Sequence, residues 1–264
     1  LFAYVLLLDA GPLWLAHRRS WPVLAVLSLA GTALHQALWI FGSAPGVRAS
    51  GGLAVLAVFA LAFLVAGRES GGDRGVWRLT RAGGVAIPFA FALLLAGRAE
   101  LGAHLVPLGA LLLLLSACGC WLAVRQGQPL LAHLAAGFDL GVVAAWLAAH
   151  DASTLQLWTV AALGAALAAL FQAAAEWASE KEGSETMSSS AILATVGLLA
   201  VLAIAGAAAS SPSPWPWLAA WAVLVVVLVR HSFRPGRPWA PAVGGVTAAL
   251  ALTLFALAHA HRPD

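Results

Sequence analysis

The chain has 264 residues, of which 62% are hydrophobic and only 9% charged, and its mean hydropathy is +0.91. An ordinary soluble domain carries about 25% charged residues, so this composition excludes a globule with a normal wet surface. The formal net charge of +3 rests on thirteen Arg and one Lys against eleven acids; these cations sit between apolar blocks, so nucleic acid is not an expected partner.

Apolar residues run in blocks of 16 to 22, enough to cross about 30 Å of hydrocarbon at about 1.5 Å per residue. The expected fold is all-α, a polytopic transmembrane helical bundle of about ten spans joined by short loops, forming one domain over residues 1–264 with the lipid bilayer as its main partner. Spans are predicted at 1–16, 21–41, 52–67, 82–97, 103–124, 130–149, 154–175, 190–209, 215–230 and 240–260. Turn-forming segments such as GSAPG, SSPSPWP and RPGRP separate them. Leu1 is not a Met and the chain opens inside an apolar run, which reads as a fragment of a longer protein.

The first span holds Asp9, followed by Pro12. An ionised side chain at mid-membrane costs about 2.5–3.5 kcal/mol on insertion scales, so Asp9 needs a reason to be there. Pro12 has no N–H for the carbonyl of Leu8, which leaves a free acceptor beside the carboxyl. In the fifth span Cys118 and Cys120 are two apart, a spacing that suits buried apolar thiols rather than a metal or redox clip. The sixth span carries Asp139 within GFDLG. Gly137 and Gly141 there form a small-xxx-small pattern for close helix approach, and at 3.6 residues per turn Asp139 points about 160° away from both. Asp9 and Asp139 are thus candidates for a polar interior, able to share a proton or bind a cation if their helices meet.

Residues 176–190, EWASEKEGSETMSSS, form the main polar segment and are expected to be an acidic cytoplasmic loop in which Ser188, Ser189 and Ser190 cap the next helix. The Arg-rich stretches at 68–81 and 230–238 are expected to be loops facing anionic headgroups. If the chain starts outside, one set of loops holds eleven Lys and Arg and the other holds Arg48, Arg98 and Arg262. By the positive-inside rule both ends then lie on the outer side of a bacterial inner (plasma) membrane. Trp21, Trp39, Trp77, Trp121, Trp158, Trp177, Trp215, Trp217 and Trp239 fall at span ends and read as an interfacial belt, Trp215 and Trp217 also as a conceivable aromatic cage. His35, His104, His150, His259 and His261 lie toward the outer side, where a metal or haem site would form if the fold gathers them.

The opening YVLLLDAG, the basic turn HRRSW and the following LAGT, with Tyr4, Asp9, Gly11, Trp21, Gly31, Thr32 and Trp39, resemble the many-spanning bacterial membrane proteins grouped as domain of unknown function 2339. The likeness covers about residues 1–41. It implies a complete protein with additional spans, and no reaction comes with it. With no P-loop, GxSxG or GxGxxG pattern in the chain, no catalytic residue is expected and no cofactor is required. The leading expectation is a non-enzymatic, transport-like or envelope-associated bundle, with other membrane subunits as admissible partners. Two alternatives are a redox or metal/haem subunit using the outer histidines, and a purely structural scaffold.

Overall fold

The computed structural model describes residues 2–42, 49–66, 74–98, 105–179, 184–208 and 214–232, and Gly245, Ala249, Leu252, Thr253 and Ala256 beyond them. Among the described residues there are nine helices: α1 (Phe2–Arg19), α2 (Pro22–Gly42), α3 (Ala49–Ala66), α4 (Arg74–Ala96), α5 (Leu105–Gln126), α6 (Leu130–Ala149), α7 (Thr154–Trp177), α8 (Ser184–Ala208) and α9 (Trp215–Ser232). Six of them, α2 and α4 to α8, are long and apolar enough to cross a membrane, while α3 and α9 contribute shorter apolar stretches. Nearly all of the predicted tenth span lies outside the described residues, as do His104, His259, His261 and Trp239.

The helices form two rows. α2, α4, α6 and α8 make one; α3, α5, α7 and α9 make the other; α1 lies against α2 and α3 at one end. Along a row the touching positions ascend together: Leu29 meets Gly83 and Ile40 meets Arg98 between α2 and α4, and Gly109 meets Leu163 and Arg125 meets Trp177 between α5 and α7. Row neighbours are therefore parallel. Across rows the order reverses, as where Gly119 meets Ala135 and Ser116 meets Asp139 between α5 and α6. Short connections explain the antiparallel pairs, but the parallel pairs join helices two apart in sequence and need the tertiary arrangement.

Outward faces stay apolar, with Leu34, Leu38, Val106 and Val226 each more than 60% exposed. In water such a surface would drive association; against lipid tails it is the solvated face. The chain is thus a membrane-protein-like helical bundle.

Several local expectations change. Residues 74–81, expected in a basic loop, are the first two turns of α4: Trp77 and Thr80 are buried there while Arg78 is exposed. Amphipathic spacing turns the loop into helix, because one apolar side every third or fourth residue suffices to bury a face. Trp77 and Trp217 are 1% and 4% exposed, so both belong to the interior rather than to the interfacial belt. Trp217 covers Gly206 of α8 whereas Trp215 is exposed, so the two do not form a cage. Nor do the serines of the acidic segment cap a helix. α8 starts at Ser184 with Glu185 in its first turn, where an acid favours the positive end of the helix dipole, and Ser188, Ser189 and Ser190 lie inside it.

Candidate functional site

Asp9 and Asp139 are both buried, at 8% and 1% exposed. Each meets hydroxyls on the helix antiparallel to its own. Asp9 lies on the buried stripe of α1 with Leu13 and Ala16. Ser28 Oγ of α2 donates to its Oδ1 at 2.5 Å, and Thr32 Oγ1, one turn on, donates to its Oδ2. The buried face of α2 consists of Ala25, Ser28, Thr32, Gln36 and Ile40, so its central turns present polar groups where an apolar helix usually presents Leu or Val. Asp139 of α6 accepts from Ser116 Oγ of α5 at 2.5 Å through Oδ2, and its Oδ1 is buried without a hydrogen-bond partner. Cys120, one turn beyond Ser116, is also buried.

The two carboxyls occupy separate seams. α1 lies chiefly on α2 and α3, whereas α6 lies on α4, α5 and α8. The expectation that the two carboxyls could meet gives way to separate surroundings: Ser28 and Thr32, with Gln36 a turn further on, for Asp9 and Ser116 for Asp139. A visible signal was available: Ser28, Thr32 and Gln36 in a mostly apolar block recur every fourth residue, one helix face.

The glycine ridge of α6 behaves differently from its prediction. A side chain at Gly137 would meet open space, and one at Gly141 would only touch Leu93 at 3.5 Å. The helix turns the opposite face, with Asp139, inward, because the carboxyl gains more from Ser116 than from lipid. Close approach occurs instead at Gly84 against Phe63, Gly119 against Ala135 and Gly197 against Leu140.

Among the described residues no three His, Cys, Asp or Glu groups gather as a metal set. Both ring nitrogens of His150 face carbonyl oxygens, Trp146 O and Arg98 O, each at 2.9 Å. A ring with one N–H donates to only one of these carbonyls, and a metal there would take the place of one of the two contacts. His35 is half-buried within α2. His133, which the sequence reading passed over, lies between Ser189 Oγ at 3.0 Å and Ser190 Oγ at 2.8 Å and so joins α6 to α8.

Helix ends are laced together by cations. Arg98 Nη1 at the end of α4 donates to Ile40 O near the end of α2 at 3.1 Å, and His150 at the end of α6 reaches back to Arg98 O. In the other row the Arg125 guanidinium lies 5.7 Å from the Trp177 ring centre, and Arg230 pairs with Glu176 at 3.4 Å. Terminal carbonyls of parallel helices lack intrahelical donors and carry partial negative charge, which is where cations are favoured.

The Ser116–Asp139 bond can be weighed by a double-mutant cycle with Ser116→Ala and Asp139→Val, followed by unfolding in mixed micelles. The expected coupling is about 0.6–1.7 kcal/mol, the scale of interhelical hydrogen bonds inside membranes; additivity would show that the pair contributes nothing.

Comparison with known proteins finds no matching family model, no similar curated protein and no similar solved structure.

Proposed function

We propose that this chain is a non-enzymatic, transport-like membrane bundle of about ten spans whose polar interior is divided between the α1/α2 and α5/α6 seams. The carrying observation is that Asp9 and Asp139 are buried between apolar helices and hydrogen-bonded to hydroxyls on a neighbouring helix, with no ion pair to either among the described residues. Intramembrane carboxyls held in this way mark ion or proton paths in membrane proteins generally. The C-terminal ends of α1, α5 and α9 carry Arg18, Arg19, Arg125 and Arg230. That common end suits the cytoplasmic side of a bacterial inner membrane, with residue 1 outside. Membership of domain of unknown function 2339 belongs to the same proposal and rests on the residues from Tyr4 to Trp39.

Proteoliposomes with an entrapped pH-sensitive or sodium-sensitive dye test the reading. Faster gradient decay than in empty liposomes, reduced at least severalfold by Asp9→Asn or Asp139→Asn, is the expected result. Decay no faster than in empty liposomes rejects transport. It would favour the scaffold reading, for which the lacing at both ends of the rows already speaks.

A further inference from the structure

The α1/α2 seam is the most polar stretch of the interior, and its composition narrows what it can hold. Asp9 brings two carboxylate oxygens, and Ser28 and Thr32 bring one hydroxyl oxygen each. Pro12 lies inside α1 and leaves the carbonyl of Leu8, the residue before Asp9, without its helical donor. Gln36, 3% exposed and one turn beyond Thr32 on the same face, has a buried Nε2 with no partner. That NH2 group is a donor and calls for an acceptor, so it adds polarity to the stripe without being a ligand for a cation. No cationic side chain pairs with Asp9 among the described residues, so a carboxylate here would call for a bound cation as its counter-charge.

We propose that this seam binds a monovalent alkali cation of the sodium class, held by the Asp9 carboxylate and the hydroxyls of Ser28 and Thr32. Oxygen-only ligands select hard cations over transition metals. A single carboxylate balances a single positive charge, whereas a divalent ion would leave a net charge in hydrocarbon. Hydroxyls can turn their lone pairs from the carboxylate toward an ion, and admitting one also moves Ser28 and Thr32 apart from the Asp9 oxygens they now touch. The Asp139 seam offers one hydroxyl and a neighbouring thiol, a poorer set for a hard ion, and serves as an internal control.

This inference rests on the membrane-embedded, ion-handling reading and names its ion. The whole chain, purified in detergent, is unfolded thermally in sodium chloride and in choline chloride at equal ionic strength. Sodium at about tenfold its Kd is expected to raise the midpoint by about 2–6 °C. Asp9→Asn and Thr32→Val should abolish the rise, whereas Thr32→Ser, which keeps the hydroxyl and guards against a folding defect, and Asp139→Asn should retain it. No sodium-specific shift in the unmodified chain, or an undiminished one in Asp9→Asn, overturns the proposal. A midpoint that follows pH through Asp9 but ignores sodium assigns the seam to a proton and overturns it equally. Sodium stabilisation without liposome flux keeps the site and rejects transport; flux without sodium stabilisation does the reverse.

Discussion

Gly84→Leu is expected to lower the unfolding midpoint sharply, by separating α3 from α4. A Cβ at Gly84 would stand 2.7 Å from Cβ of Phe63 and 3.9 Å from its Cα. Atoms that close to the main chain cannot rotate aside, so the helices themselves must move. Phe63 is 1% exposed, in the small cluster that joins α1, α2, α3 and α4 through Leu13, Ala16, Ala25, Phe59 and Trp77. Overpacking of a filled interior costs about 1–3 kcal/mol, occasionally more, which is about 2–4 °C per kcal/mol in a chain of this size. Gly83 and Gly52 are also crowded, but by the ends of the Leu29 and Trp39 side chains, which can shift at lower cost. Gly137→Leu is the matched control: it faces open space, where surface changes stay within about 0.5 kcal/mol. Equal midpoints for Gly84→Leu and Gly137→Leu would refute the α3/α4 seam.

Trp146→Ala is expected to cost about 3–5 kcal/mol, the range for emptying a large aromatic site. Trp146 is 1% exposed, between α5, α6 and α7, and borders a small apolar cavity with Leu108, Val143 and Leu163. Its ring stacks on His150 with centroids 5.2 Å apart. Losing it therefore enlarges an existing void and removes the platform that aims His150 at Arg98 O. Amide exchange near residues 96–98 should rise along with the loss of stability. Trp146→Phe keeps an aromatic face and should recover most of both effects. Exchange that is unchanged in Trp146→Ala would show that the His150 link does not hold α4 to α6.

Much of the helical layout is legible without coordinates, since spans in hydrocarbon must satisfy every backbone group internally. Apolar blocks therefore become helices: the predicted segments at 130–149 and 154–175 appear as Leu130–Ala149 and Thr154–Trp177. Boundaries fail where charged residues continue a helix, as in α4 and at the start of α8. There a polar run has helical spacing, and hydropathy averaged over a window cannot see it.

The two aspartates show the same division. That Asp9 and Asp139 need partners follows from the cost of a lone carboxyl in lipid, and sequence alone establishes it. Which face of α6 turns inward does not follow, because Gly137 and Asp139 both offer reasons for burial and only the position of Ser116 on α5 decides between them. By itself, then, the sequence determined a helical chain solvated by lipid, with two carboxyls that have to be answered. Tertiary structure alone decided that they are answered at separate seams, by Ser28 and Thr32 in one and Ser116 in the other. The reason is that periodicity within a helix specifies its faces but carries no information about which neighbour each face meets.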